Sequence, residues 1–268
     1  GSIPDLVCEV TACFYLFPVE THIISRCITC HQSKTKSICA VFINNFQSAI
    51  SNSTIPVVNG VINSLIIAAC TALLSIYFSA MTAYSIHVYD FKGKKFIFNF
   101  ILLIMTIPTQ VSALGFFSMC TDWGLRDTYI PLIVPAIAAP AVFFFMIQYM
   151  KSSLPIDIIE AARIDGSGEF RTFNTIVLPM LKPALAVQAI FSFVASWNNY
   201  FLPSLIIDTS TKKTMPIMIA QLRSADFLKF DMGQVYMFIF IAIIPVIIVY
   251  FCLSKFIIAG VSLGGVKE

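Results

Sequence analysis

Five stretches of this chain, residues 64–86, 96–119, 129–150, 184–207 and 233–254, contain no Asp, Glu, Lys, Arg or His. Each is longer than the roughly 20 apolar residues needed to cross a hydrocarbon layer about 30 Å thick. Only helices and closed barrels satisfy every backbone group inside a bilayer, and uninterrupted apolar runs of this length read as helices. The expected fold is an all-α integral membrane bundle with five clear transmembrane helices. Composition agrees: 58% of residues are hydrophobic and 12% charged, where soluble domains run near a quarter charged. A mean hydropathy of +0.86 points the same way. The net charge of +3 is too small to imply nucleic acid as a partner.

The placement of lysine and arginine says more than their total. Lys92, Lys94, Lys95, Lys151, Arg163, Arg171, Lys182, Lys255 and Lys267 fall on one set of connections. Arg126, Lys212, Lys213, Arg223 and Lys229 fall on the other. The positive-inside rule puts the 87–95 loop, the 151–183 loop and the C-terminus in the cytoplasm. The connections at 120–128 and 208–232 then face outward, as do residues before about 60.

Pro108, Pro131, Pro135, Pro140, Pro203 and Pro245 lie within the spans. Proline removes a helical hydrogen bond, which membrane helices tolerate where neighbours or cavity water satisfy the freed group. Ordinary bundle packing accounts for most of them. Pro108, beside Thr106, Thr109 and Gln110, is also a candidate to line a path. The spans hold no ionisable group of the kind that builds ion sites and proton relays, which argues against an ion-coupled carrier. No G-x-x-x-x-G-K-[ST] phosphate loop occurs, so ATP hydrolysis by that route is excluded. No nucleophile–base pair or metal-ligand set stands out in the spans. The expectation is a non-enzymatic membrane protein without cofactor or metal. A transporter energised by a separate subunit, a channel and a membrane scaffold all fit.

The 151–183 connection is too patterned for a simple linker. Ser153 is the expected cap and Pro155 the first-turn residue of a helix that carries Asp157 and Glu160 near its positive end. Gly166 is its expected stop, in the left-handed conformation that glycine enters cheaply. A second short helix is expected to end near Leu178-Pro179. Glu160-Ala161-Ala162, three residues, Gly166, nine residues, then Ile176-x-Leu178-Pro179 resembles the E-A-A loop of binding-protein-dependent ABC importer permeases, with Asp165 and Pro183 fitting the sugar-importer version.

The resemblance runs through residues 42–268. Asp90-Phe91-Lys92-Gly93-Lys94 is similar to the basic loop after the second span of maltose-type permeases. Ser196-Trp197-Asn198-Asn199-Tyr200-Phe201-Leu202-Pro203 resembles their W-N-E-F-x-x-P segment, with Asn199 where Glu is frequent. The ending from Lys255 through Gly264-Gly265-Val266-Lys267 resembles the tail of the smaller permease of the maltose-type pair. What this implies is a type I ABC importer permease bundle of six spans, in a bacterial cytoplasmic membrane and surrounded by lipid. The implied partners are a second homologous permease, two ATPase subunits and an extracytoplasmic solute-binding protein that delivers a sugar or oligosaccharide. Glu160, Ala161, Ala162, Asp165, Gly166, Ile176, Leu178 and Pro179 are the implied ATPase-coupling residues. Gln110, Gln188, Trp197, Asn198, Asn199 and Tyr200 are candidate path residues, since sugar sites pair aromatic faces with amides. Such groups also bind neighbouring helices, and both readings stay open. An importer of another solute, such as an amino acid or phosphate, and a non-transporting scaffold are the alternatives.

Residues 1–59 depart from the family pattern. The opening Gly1-Ser2 reads as an added remnant or a truncated start, and no signal peptide is evident. Residues 6–17 are too few for a span and include Glu9, and 14–18 read as the outer end of a truncated one. Cys8, Cys13, Cys27, Cys30 and Cys39 crowd the same region. Cys27-Ile28-Thr29-Cys30-His31 matches the spacing for haem attachment, and with Cys39 it mimics a zinc set. Both are set aside, because the segment is short and has no partner fold around it. Cys70, Cys120 and Cys252 read as small packing residues. The transmembrane domain is taken as 60–268.

Overall fold

The computed structural model describes residues 40, 42–51, 55–223 and 232–264, the backbone alone at 232 and 256–264. The N-terminal cysteines with His31, the segment 224–231 with Lys229, and the tail from Gly265 lie outside the described residues. The chain divides into two units, Gly1–Ser48 and Ala49–Glu268. In the first, residues 42–48 are helical. Everything below concerns the second.

This unit is helical, with no strand among the described residues. It opens on α1 (Val57–Val88), a helix of 32 residues. Two helices, α2 (Lys94–Ile104) and α3 (Thr109–Asp122), follow. Next come α4 (Ile130–Ile133), a 3-10 turn at Val134–Ile137, and α5 (Pro140–Ser153). The patterned connection folds into α6 (Ile156–Ile164) and α7 (Glu169–Thr172), the latter running on through a π segment (Phe173–Val177) into α8 (Leu178–Met180). The chain ends with α9 (Lys182–Trp197), α10 (Phe201–Ile206), a 3-10 turn at Ser210–Lys212, α11 (Met215–Arg223) and α12 (Met232–Gly264).

Three helices are long and apolar enough to cross a membrane unaided: Val57–Val88, Ile130–Ser153 and Gly233–Lys255. The count reaches five if each of two bent pairs is one span. Apolarity located the runs but not their breaks. The run at 96–119, expected as one helix, bends by 93° between α2 and α3. Pro108 has no N–H to donate and pushes the preceding residue out of the helical region. The backbone resolves this with tight turns, Met105, Thr106 and Ile107 donating to the carbonyls of Leu102, Leu103 and Ile104.

The run at 184–207 ends as a helix at Trp197: Asn198 is the C-cap, in a turn, and Asn199 lies outside both helices before α10. Its N-terminal end meets the Glu169–Met180 helix at 81°. The run at 129–150 is interrupted at Ala138–Ala139, ahead of Pro140. There the Ser79 hydroxyl donates to the Ala139 carbonyl at 3.3 Å, satisfying backbone at the break.

α1 packs against α5 and α9, and α9 against α12. The buried face of α1 carries Ala68, Ala72, Ser75, Ser79, Ala80 and Ala83, small side chains that let neighbouring backbones approach. At its start the approach leaves no room for a side chain: a Cβ on Gly60 would lie 2.5 Å from Met218 Sδ. Three apolar layers stack along the helix. Val57, Met215, Met218, Met237 and Phe238 form one end. Ala68, Ala72, Phe193 and Trp197 form the middle. Tyr84, Phe143, Met146, Met150, Ile159, Phe173, Val177 and Leu181 form the other end.

Polar connections close both ends. At the first, Asn63 Nδ2 donates to the carbonyls of Thr211 (2.8 Å) and Lys213 (3.1 Å). Asp127, the non-glycine residue with φ of 56°, accepts from Thr209 Oγ1 at 2.7 Å and from Lys212 Nζ at 2.9 Å. At the second end, His87 Nε2 lies 3.1 Å from the Leu154 carbonyl. The Lys151 ammonium sits over the Phe98 ring at 5.3 Å. The two connections assigned together to the cytoplasmic side, 87–95 and 151–183, therefore share one end, and 120–128 and 208–213 share the other.

Candidate coupling loop and path

Helix α6 is keyed to the bundle by Ile159 and Ala162, three residues apart on one face and both buried. Its other face is open, with Asp157, Glu160 and Ala161 exposed. Ile164 at 87% exposure, with Phe170 at 70% beyond the turn, adds an apolar surface left largely uncovered among the described residues. The cap differs from the expected one. Ser153 is the last residue of α5, and Pro155 is the residue before the first turn of α6, with no side-chain cap there. Leu154 and Pro155 are extended, as a residue before proline must be, so the chain leaves α5 before α6 begins.

The C-terminal stop is where the pattern puts it. Gly166 has φ of 77°. Its N–H donates to the Arg163 carbonyl at 3.0 Å, and the Ser167 N–H donates to the Ala162 carbonyl at 2.9 Å. That pair of bonds is a Schellman motif, with Asp165 as the C-cap residue. In the second arm Phe173, Val177 and Leu181 enter the same apolar layer as Ile159. Leu178 packs against that layer, Ile176 is half-buried and Pro179 is exposed.

Side chains that the motif does not include hold the loop in place. Arg163 Nε donates to Glu169 Oε1 at 2.7 Å, and the Tyr84 hydroxyl of α1 donates to Glu169 Oε2 at 3.1 Å. The Arg163 guanidinium first, with the hydroxyls of Tyr89 and Tyr84 adding, holds the Glu169 carboxyl below the usual carboxylate range. Two helical turns before Tyr84, Tyr77 donates to Asn174 Oδ1 at 3.3 Å and meets the Phe173 ring edge-on. Tyr77 and Tyr84 are seven residues apart, a face-sharing interval that is visible in the sequence but not specific.

The six path candidates are not gathered at one place. Gln110 and Asn199 line a common cavity of about 680 Å³ with Thr109, Phe116, Pro135 and Pro140. Its walls come from the breaks in three apolar runs, near Pro108, Pro135–Pro140 and Asn199. Non-helical backbone at membrane depth occurs where it is buried in protein or lines a cavity. Asn198 and Tyr200 face a second cavity of about 370 Å³ with Arg223, α11 and α12. Trp197 touches that cavity but is 3% exposed, its ring stacked on Phe193 at 5.7 Å. Gln188 is buried within the bundle. Thr109 was flagged from sequence beside Pro108 and Gln110, whereas Phe116 and Arg223 were not read as path residues. The coincidence of Pro135 and Pro140 with Pro108 was the available signal for Phe116. Among the described residues, no group of three His, Cys, Asp or Glu side chains is placed to hold a metal.

A family description, "Binding-protein-dependent transport system inner membrane component", matches residues 75–262. The chain is 38% identical over 208 residues to the arabinooligosaccharides transport system permease protein AraQ of Bacillus subtilis, covering 76% of this chain and 72% of that one. It is 29% identical to the melibiose/raffinose/stachyose import permease protein MelC of the same organism, over 84% and 80% of the two chains. It is 30% identical to the trehalose/maltose transport system permease protein MalG of Thermococcus litoralis, over 84% and 81%. Its fold is similar to a chain in the crystal structure of a bacterial ABC transporter that imports the acidic polysaccharide alginate. The TM-score is 0.69, with 18% identity over 90% of this chain and 99% of that one.

Proposed function

The chain belongs to the family of binding-protein-dependent transport system inner membrane components, the permeases of ABC importers, and from that premise we propose that it carries an oligosaccharide inward across a bacterial cytoplasmic membrane. It works as one of two permeases. ATP is hydrolysed on two separate subunits docked against α6, and an extracytoplasmic binding protein presents the sugar at the opposite end. The sugar-type relatives support the substrate class.

The observation that carries this reading is the exposed face of α6, with Glu160, Ala161 and Ile164 turned away from a bundle into which Ile159 is keyed. Glu160 offers a carboxylate for a basic group on the ATPase, a charge-assisted bond that partial burial would strengthen. Ile164 and Phe170 supply apolar area to bury beside it. Ala161 leaves room for close contact. Gln110 and Asn199 line the stretch of path in which hydroxyl groups exchange water for amides.

The test is isolation of the chain from membranes with its neighbours, followed by uptake in reconstituted vesicles. Arabino-oligosaccharides, raffinose and maltose serve as probes. The expected result is retention of an ATPase and ATP-dependent uptake of one of these sugars. Retention of no ATPase would favour a scaffold. An ATPase-bearing complex that moves none of them would remove the sugar assignment.

A further inference from the structure

Glu169 lies between the two halves of the E-A-A pattern and belongs to neither, yet three elements meet on its carboxylate. One oxygen takes the Arg163 guanidinium from the last turn of α6, and the other takes the Tyr84 hydroxyl from the last turns of α1. Glu169 itself opens α7. Arg163 is held from a further side, its guanidinium over the Tyr89 ring at 5.2 Å.

What this arrangement spans is a weak joint. Between Arg163 and Glu169 the chain turns through Gly166, Ser167 and Gly168. Glycine allows the widest range of backbone conformations. A Cβ added at Gly166 or Gly168 would meet nothing within 4 Å among the described residues, so neither glycine is wedged in place by a neighbour. The Schellman bonds secure the end of α6, and Thr172 Oγ1 donates to Ser167 Oγ at 2.9 Å from the α7 side. Ile159, Phe173 and Val177 hold the loop on the bundle through apolar contact, which is non-directional and lets surfaces slide. Charge-assisted hydrogen bonds are directional and resist that sliding.

We infer that Glu169 is a positioning residue that braces the Gly166–Gly168 turn and ties α6 to α1, so that a displacement imposed on α6 reaches the long helix instead of being taken up in the turn. The inference rests on the coupling reading of α6 given above. It does not require Glu169 to touch the ATPase, because both carboxylate oxygens are already engaged within the chain. The chemistry asks for an acid of this length. Glutamine keeps the shape but loses the ion pair with Arg163, and exchanging the two charges restores the ion pair in reverse.

The experiment uses the assembled complex with its ATPases. Spin labels are attached through Ile158→Cys on the flank of α6, off the face assigned to the ATPase, and Thr82→Cys on α1, both exposed in the chain, in an otherwise cysteine-free background. The distance between labels is measured without nucleotide and after trapping with ATP and vanadate. With Glu169 in place, the distance should be the same in both states. In Glu169→Gln it should shift between states by about 5 Å, the pitch of one helical turn. Tyr84→Phe, which removes one hydroxyl only, should shift it in the same direction by less. The exchanged pair Arg163→Glu with Glu169→Arg should restore the constant distance, which a merely structural loss would not allow. A distance that stays constant in both Glu169→Gln and Tyr84→Phe would overturn the inference, as would one that already moves in the unmodified loop. Failure of the unmodified chain to retain an ATPase would instead sink the coupling reading on which this rests.

Discussion

Lys212 places its ammonium 2.9 Å from the Asp127 carboxylate and 2.8 Å from the Asp127 backbone carbonyl, joining the connection after α3 to the one before α11. The same carboxylate accepts from the Thr209 hydroxyl and from the N–H groups of Asp208 and Thr209. Those bonds, from Thr209 first and Lys212 after it, hold the Asp127 carboxyl well below the usual carboxylate range. The sign follows: a depressed folded-state pKa gives stability that is present above the unfolded value, about 3.9, and lost as pH falls through the folded one. Thermal unfolding in detergent should therefore separate Asp127→Asn from the unsubstituted chain at pH 7. The two curves should draw together below about pH 4. A gap that stays constant with pH would show that the charge contributes nothing.

Gly166 and Glu160 should fail in different ways. The Gly166 Cβ site is open, so the cost of a side chain there comes from φ alone and amounts to about 1 kcal/mol or more. Gly166→Val should fray the end of α6, and Gly166→Asn should do less harm, because asparagine tolerates the left-handed region. ATPase stimulation by the loaded binding protein should fall in the order Gly, Asn, Val. Equal activity in all three would remove the cap from the coupling element.

Glu160 is exposed and lies on the open face of α6. Glu160→Ala should change the thermal stability of the isolated chain by no more than about 0.5 kcal/mol, as surface substitutions do. Capture of the ATPase should weaken roughly tenfold, in keeping with about 1.5 kcal/mol for a hydrogen bond to a charged group. A binding titration measures the second effect, and unchanged affinity would free Glu160 of that role.

The cavity shared by Gln110 and Asn199 predicts a matched pair of phenotypes. Gln110→Leu and Asn199→Leu each remove amide groups from a site where a sugar hydroxyl would be left unpaired, at about 1–3 kcal/mol. Uptake should fall in both, with the complex still assembled by size-exclusion chromatography. Gln188→Leu, buried elsewhere in the bundle, should act on stability instead. Full uptake by both cavity variants would move the path away from this cavity.

Membrane sidedness is open to a direct check. With Ser167→Cys at one end and Ser210→Cys at the other, an impermeant thiol reagent on intact cells should modify position 210 and spare 167. The reverse would invert the orientation drawn from the lysine and arginine distribution.

Apolar runs and the spacing about Gly166 were legible in the sequence because each has a local physical cause. A charge-free run of over 20 residues has few alternatives to a bilayer, and a glycine after a short amphipathic helix has few alternatives to a cap. The breaks were less legible. Pro108 was visible, but proline within a membrane run bends some helices and leaves others crossing, and Pro245 sits inside an unbroken α12. Trp197, Asn198, Asn199 and Tyr200 were read as one group because they are consecutive. The helix ends within them, which sends Trp197 into the core and Asn199 into a different cavity. The pairing of Glu169 with Tyr84 left no signal at all. They are 85 residues apart, and a pairing between distant side chains has no period to detect.

α1 has 32 residues and so extends about 48 Å, against a hydrocarbon layer of about 30 Å. Its surplus has to tilt or stand clear, and the end that carries Tyr84 and His87 is the one fastened to the loop. Bilayer thickness thereby becomes a variable for this chain. A thin membrane lifts the meeting point of Tyr84 and Glu169 toward water, where competing hydrogen bonds are plentiful. A thick one draws it toward hydrocarbon, where a carboxylate is expensive. Lipid chain length is then a parameter to which ATP-driven transport should respond, with an optimum where that carboxylate sits in the headgroup layer.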